Sequence, residues 1–123
     1  MQIDPFLSYI RAGGRVAFGE TMRLIDQHYE YRPVAFTNGP PGDQIVNAPG
    51  TNEGSCKIFS FARLHGLNQS ETLTLFGDYY WDDVLGNPKA TNHANIRTFM
   101  RHGWGTIHFS GEPLSPRRPL PVR

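Results

Sequence analysis

Residues 50–66, GTNEGSCKIFSFARLHG, decide the fold, because a polar segment with two glycines leads directly into a strongly apolar one. The apolar positions recur at i, i+3, i+4 and i+7, as they do on one face of a helix: Ile58, Phe61, Ala62 and His65. Phe59 widens that face, so the pattern predicts a deeply buried helix over residues 55–65. Gly66 is a favourable residue just past its end.

The polar start of this helix has the residue types of a phosphate-binding loop but not the spacing. A Walker loop follows GxxxxGK[ST], with the lysine directly after the second glycine. Here Gly50 and Gly54 are one residue too close together, and Lys57 comes two residues late. Free N–H groups at a helix start attract anions in general, although Glu53 partly cancels that field. The spacing therefore argues against a nucleotide site and leaves only an opportunistic anion site.

Patterns on both sides of this segment predict the remaining elements. They predict helices over residues 5–12, 16–28, 70–76 and 78–85 and within residues 91–103, and strands within residues 29–39, 45–50 and 104–111. The first strand ends on the turn residues Asn38 and Gly39, and the second strand is a candidate hairpin partner for it. Asp4, Ser70 and Asp78 are the candidate N-caps. Pro33 would interrupt a central ladder, which favours an edge strand or a strand that starts at Val34.

These elements predict an α+β fold, a single compact domain in which about five or six short helices pack on a small antiparallel sheet of about three strands. Residues 1–112 are expected to form that domain. Residues 113–123, rich in proline and arginine, are expected to form an extended, mostly disordered tail.

Composition and charge exclude several classes of protein. The net charge is only +1 and the twelve Lys and Arg residues are dispersed, which argues against nucleic-acid binding. No apolar run is long enough for a membrane span, and the first residues lack the plan of a secretory signal. Five histidines without ligand spacing and a single cysteine predict neither a metal site nor a disulfide, and no cofactor motif appears.

One candidate chemistry is that of a cysteine hydrolase or transferase. Cys56 lies in the first turn of its helix, where the helix dipole and Lys57 would favour a thiolate. His93 at another helix start would be the base, and Asn95 would orient it. The competing interpretation is that a lone cysteine at the edge of an apolar helix is a small buried hydrophobe. We favour a protein without catalysis.

Polar residues near the two helix starts are the candidates for ligand binding: Asn52, Glu53, Ser55, Lys57 and Arg97. Asn52 is expected to cap the central helix, and Glu53 is a suitable partner for Arg97. We expect a polar cleft between residues 52–57 and residues 93–97 that takes a small molecule or a protein.

Three segments together resemble one family. They are NGPPGDQIVNAPGTNEGSCKIFSFARL (38–64), ETLTLFGDYYWDDVLGNP (71–88) and NHANIRTFMRHGWGTIHFSG (92–111), and their combination resembles the HopJ-type III effector proteins. The proline- and glycine-rich loop over residues 39–44 and the tail depart from the family pattern. The resemblance implies a bacterial virulence protein that type III secretion delivers into a host cell, where a host protein would be its partner. It implies no settled activity and hence no catalytic positions.

The first fifty residues disagree with that implied export. Type III substrates usually begin with a flexible, serine-rich leader, but Ser8 is the only serine before residue 51 and helices are predicted from the start. We therefore expect a protein of the bacterial cytoplasm that binds a ligand or partner, with the cysteine enzyme as the alternative.

Overall fold

The computed structural model describes residues 2–117, and within them twelve helices and strands follow one another along the chain. In order they are α1 (Ile3–Arg11), α2 (Phe18–His28), β1 (Tyr29–Tyr31), β2 (Phe36–Asn38), β3 (Ile45–Asn47), α3 (Glu53–Leu64), α4 (Gln69–Thr74), a π-helix (Tyr79–Val84), α5 (Ala94–His102), a 3-10 helix (Gly103–Thr106), β4 (His108–Phe109) and β5 (Leu114–Pro116). Their buried apolar side chains form one cluster. The predicted single α+β domain is confirmed.

Helix α3 lies at the centre of this core, as its sequence predicts. Phe59 is fully buried and contacts four aromatic rings from four other segments, at centroid distances of 4.9–6.3 Å: those of Phe36, Phe76, Phe99 and Trp104. The rings meet edge-on or tilted, which are favourable geometries for aromatic pairs. Because Ile58 and Phe61 on either side of Phe59 are also fully buried, α3 is covered on most of its surface.

Two small antiparallel sheets flank the helices. One has the order β3-β2-β4, in which the predicted hairpin of β2 and β3 is confirmed by the pairing of Phe36 with Asn47. The other consists of β1 and β5. The prediction of one strand within residues 29–39 is wrong, because the chain leaves the two-stranded sheet before Pro33 and enters the three-stranded sheet at Phe36. Proline cannot donate to a ladder, so it suits this crossing.

The prediction of a disordered tail is wrong for residues 113–117. Leu114 pairs with Tyr31 and Pro116 pairs with Tyr29, and Leu114 is 3 % exposed. Burial of this leucine and the ladder with β1 outweigh the cost of ordering a proline-rich segment. Pro116 is tolerated because β5 is an edge strand. Residues 118–123 lie outside the described residues.

Local structure differs from the predictions in α1, α4 and the π-helix. Helix α1 begins at Ile3, so Asp4 lies in its first turn instead of capping it. Asn68 rather than Ser70 caps α4, where its Oδ1 accepts a hydrogen bond from the N–H of Glu71 at 2.8 Å. The segment predicted as an α-helix over residues 78–85 is a π-helix. Such wider turns occur frequently at functional sites.

Candidate functional site

The start of α3 has an uncommon backbone conformation. Asn52, the residue before the helix, adopts the left-handed region with φ 49° and ψ 46°. Its side chain does not cap α3 as predicted; instead Asn52 Nδ2 donates to Asn47 Oδ1 at 2.7 Å. Glycine at position 54 lets the Phe18 ring pack against the helix start, since a Cβ there would lie 2.7 Å from that ring.

The start of α5 repeats this conformation. His93 precedes the helix with φ 52° and ψ 47°, and its side chain likewise leaves α5 uncapped. The π-helix holds the imidazole from two sides, because Asp83 Oδ2 lies 3.1 Å from His93 Nε2 and the Tyr79 ring lies 5.1 Å from the imidazole centroid. Gly77, with φ 61°, brings the beginning of this segment close to the backbone of Phe18.

Three buried asparagines connect the two helix starts with the larger sheet. Asn95 Nδ2 donates to Asn47 Oδ1 at 2.9 Å, and Asn47 Nδ2 donates back to Asn95 Oδ1 at 3.2 Å. Asn38 Nδ2 donates to both the backbone oxygen and Oδ1 of Asn95, at 2.9 and 3.1 Å. The buried amides thus satisfy most of one another's hydrogen bonds, as buried polar groups require. They fix α5 against β2, β3 and residue 52.

Backbone N–H groups at both helix starts are left available. The first α-helical hydrogen bonds run from Cys56 to Asn52 and from Arg97 to His93, at 3.0 and 3.1 Å. The three N–H groups that precede each of these bonds have no intrahelical acceptor, as at any helix start. Since neither Asn52 nor His93 caps with its side chain, these groups carry partial positive charge toward whatever lies in front of them.

A cavity of about 430 Å³ lies in front of both helix starts. Its polar wall is formed by the first residues of the two helices and the residues that precede them: Asn52, Gly54, Ser55, His93, Ala94 and Asn95. Its apolar wall is formed by Phe18, Ile45, Phe76, Tyr79 and Ile96. A cavity of this size, with an apolar wall and a few convergent polar groups, is typical of small-molecule sites.

The structure disfavours the catalytic pair of Cys56 and His93. Cys56 is 1 % exposed and does not line the cavity, whereas His93 does. Burial raises the pKa of the Cys56 thiol to about 11, and the nearby Glu53 carboxylate acts in the same direction. The thiol is therefore protonated at neutral pH, and the ring of His93 is bonded to Asp83 instead of to Cys56. Asn95, the third candidate, is occupied by the asparagine network.

The two predicted cationic ligand residues point away from the cavity. Lys57 Nζ lies 2.8 Å from Asp26 Oδ1 on α2. Arg97 is 8 % exposed and donates to the backbone oxygens of Asn92 and Asn87 at 2.6 and 2.9 Å. It therefore fixes the loop before α5, and the predicted pairing of Arg97 with Glu53 is wrong.

Glu53 belongs to a different cluster. The pKa of Tyr31 is raised by burial, by the Cys56 thiol and by the Glu53 carboxylate. The Tyr31 hydroxyl is buried without a well-formed hydrogen bond. Of the eight predicted site residues, four therefore line the cavity, namely Asn52, Ser55, His93 and Asn95, and four do not, namely Glu53, Cys56, Lys57 and Arg97.

Sequence reasoning missed the apolar wall and the asparagines of the strands. Asn38 and Asn47 are 0 % and 1 % exposed, although asparagine is depleted in strands. Two asparagines within short strand patterns were the available signal. No comparable signal distinguishes Phe18 or Tyr79 from ordinary core residues, because the cavity is visible only after the segments pack.

None of the helices described within residues 2–117 is long and apolar enough to cross a membrane. Within the same residues, no group of three or more His, Cys, Asp and Glu side chains is arranged to hold a metal ion.

Comparisons with known proteins place this architecture in a family. The fold and cavity define a small, single-domain α+β protein built around one buried helix. Residues 3–114 match the HopJ type III effector protein family, and the chain belongs to that family. A solved structure, described as the crystal structure of the unknown function protein VPA0580, is similar with a TM-score of 0.89 and 38 % identity, over 95 % of this chain and 95 % of the other. No curated protein matches.

Proposed function

We propose that this HopJ-family protein is a binding protein without catalytic activity, whose cavity takes a small molecule with an apolar body and a hydrogen-bond-accepting, acidic group. The observation that carries the proposal is the convergence of two uncapped helix starts on one cavity of about 430 Å³. The buried, protonated thiol of Cys56 supports the absence of cysteine chemistry.

The two walls of the cavity define the chemistry of the ligand. Partial positive charge at the starts of α3 and α5 favours a carboxylate or a comparable acceptor. The hydroxyl of Ser55 adds a donor on the same wall. The opposite wall offers Phe18 and Tyr79, whose rings meet edge-on at 4.9 Å, and suits an aromatic or branched aliphatic body. A small carboxylic acid combines both parts.

The proposal is tested by titrating the protein with phenylacetate, benzoate and isovalerate, and with phenylacetamide as a neutral analogue. Amide signals in ¹H–¹⁵N spectra report the site, and those of residues 53–55 and 94–96 are expected to move more than those elsewhere. A carboxylate is expected to bind more tightly than its amide at pH 6. Ser55→Leu places a larger side chain in the cavity, and the amide signals of this variant are expected not to move when a carboxylate is added.

Ser70→Leu is the matched control for this substitution. Ser70 also lies in the first turn of a helix, but it is exposed on α4 and does not line the cavity. The Ser70→Leu variant is expected to bind as the unmodified protein does. The proposal is wrong if millimolar carboxylate leaves residues 53–55 and 94–96 unmoved, or if both leucine variants bind equally well.

We further propose that the protein acts in the bacterial cytoplasm. The family description suggests type III secretion. Phe6, Leu7 and Ile10 of α1 are buried in the core, so the first helix would have to leave the folded domain before it served as an export signal. A fusion of residues 1–50 to a translocation reporter is expected to remain in the bacterium. Transfer of that fusion into host cells would contradict the proposal and point to a host partner.

A further inference from the structure

His93 is the residue of the polar wall whose ring can offer either a donor or an acceptor to a ligand. Its Nε2 lies 3.1 Å from Asp83 Oδ2, and a carboxylate offers only acceptors, so Nε2 carries a proton. Within residues 2–117, Nδ1 has no hydrogen-bond partner. A neutral ring thus presents an acceptor at Nδ1, and a protonated ring presents a donor there.

The charged groups nearest to His93 in the chain and in the fold belong to the π-helix, α3 and α5. The π-helix contributes the Asp83 carboxylate and the Tyr79 ring, while Asp82 on the same helix and Asp78 just before it are exposed. Helix α3 contributes Glu53, which does not line the cavity. On α5, Arg97 is bonded to the backbone of the preceding loop.

Phe18 of α2 and Ile45 of β3, which also line the cavity, carry no charge. Among the lining residues only His93 and Tyr79 have ionisable side chains.

We propose that His93 determines the charge class of ligand that the cavity accepts. With a protonated ring, Nδ1–H donates to the carboxylate of an acidic ligand. With a neutral ring, which Asp83 holds in its Nε2–H tautomer, Nδ1 repels a carboxylate and accepts from the N–H of an amide. Asp83 is a positioning residue in this scheme, because it fixes the tautomer without touching the ligand. The inference rests on the binding function proposed above.

The test is the ratio of the dissociation constants of phenylacetate and phenylacetamide at pH 5.5 and pH 8.0. Between these values the ratio is expected to shift toward the amide by about tenfold or more, since carboxylate binding is linked to the uptake of one proton and such a linkage changes an affinity by up to about tenfold per pH unit. Phenylacetate stays ionised throughout this range, so the shift reports the protein.

His93→Asn removes the imidazole and keeps the backbone, because asparagine tolerates the left-handed conformation of this position. This variant is expected to show one ratio at both pH values. His102→Asn is the matched control, since His102 is also bonded to an aspartate, Asp43, but lies at the other end of α5 and outside the cavity. The His102→Asn variant is expected to show the same change of the ratio between pH 5.5 and pH 8.0 as the unmodified protein.

The outcomes separate this inference from the binding function. If neither ligand binds, the proposed function fails. If both bind and Ser55→Leu abolishes binding, but the ratio is the same at both pH values, only the role of His93 fails. The role also fails if His93→Asn retains the shift.

Discussion

Replacement of Asn95 by alanine tests how the two helix starts are held together. Asn95 is 6 % exposed and lies in the first turn of α5, where its side chain faces β2 and β3. The substitution removes one donor and one acceptor from the buried network and leaves the backbone of α5 unchanged. Alanine also has a high helix propensity, so any loss of stability comes from the network.

The magnitude follows from the hydrogen bonds that are lost and kept. Asn95→Ala removes three side-chain hydrogen bonds, at 2.9, 3.1 and 3.2 Å. Each remaining partner keeps one bond: Asn38 Nδ2 to the backbone oxygen of residue 95, Asn47 Nδ2 to Phe36, and Asn47 Oδ1 from Asn52. At about 1 kcal/mol for each lost hydrogen bond, the free energy of unfolding should fall by about 3 kcal/mol. For a domain of this size that lowers Tm by about 10 °C.

Urea unfolding followed by the fluorescence of Trp81 and Trp104 measures this change. Asn87→Ala is the control, since the Asn87 side chain is exposed and makes one hydrogen bond, to Asp83 at 3.0 Å. It is expected to cost less than about 1 kcal/mol. If Asn95→Ala costs no more than Asn87→Ala, the network does not stabilise the fold.

Asn95→Asp adds a pH signature to the same experiment. At neutral pH it places a buried carboxylate oxygen against Asn47 Oδ1 and is expected to cost more than alanine. Protonation of that carboxyl supplies a donor again, so the stability of Asn95→Asp should recover on acidification relative to that of Asn95→Ala. Parallel stability profiles of the two variants would contradict the geometry of the pair.

Three further predictions concern single residues. Cys56 is expected to react with a disulfide reagent only after unfolding, because burial raises its pKa to about 11, and rapid labelling without denaturant would refute this. Burial, assisted by Arg11, lowers the pKa of folded His65, whose Nε2 is hydrogen-bonded to Tyr29 Oη at 2.7 Å. Stability should therefore be complete above about pH 6.5 and fall below it as the unfolded state takes up the proton. His65→Gln should flatten that loss in urea midpoints between pH 7 and 5. The free energy of unfolding of Asn52→Ala should be about 1 kcal/mol lower than that of Asn52→Gly. Both variants lose the hydrogen bond to Asn47, but only alanine is strained in the left-handed conformation. Equal free energies of unfolding would contradict that strain.

The sequence predicts what depends on local pattern. The i, i+3, i+4, i+7 spacing in residues 55–65 predicts both the existence and the burial of α3, and the turn residues between β2 and β3 predict their hairpin. The pairing of β1 with β5 joins residues about 85 positions apart. No local pattern reports such a pair, and the proline content of β5 favours disorder when that segment is considered alone.

Side-chain direction limits the prediction of the site. Asn52 and Ser55 line the cavity, but Cys56 and Lys57 in the same turn do not, because each residue of a helix is rotated by about 100° from the last. Reactive residue types that are close together in the sequence therefore lie on different faces of the helix. Cys56 enters the core and Lys57 reaches Asp26, and only the packed structure decides which face meets α5.

The two left-handed residues bear on the ligand site proposed above. A non-glycine residue in this region costs about 1 kcal/mol or more, and a serine or aspartate cap on an extended backbone would add about 1 kcal/mol of stability at each helix. Asn52 and His93 carry the cost of the left-handed conformation and do not provide the cap. Their side chains are directed to other partners, Asn47 and Asp83. The two uncommon conformations border one cavity, although nothing in helix formation requires them to coincide. Backbone strain of this kind collects at binding sites, where exposed N–H groups are useful to a ligand, and this coincidence favours a ligand between α3 and α5 over a purely structural origin.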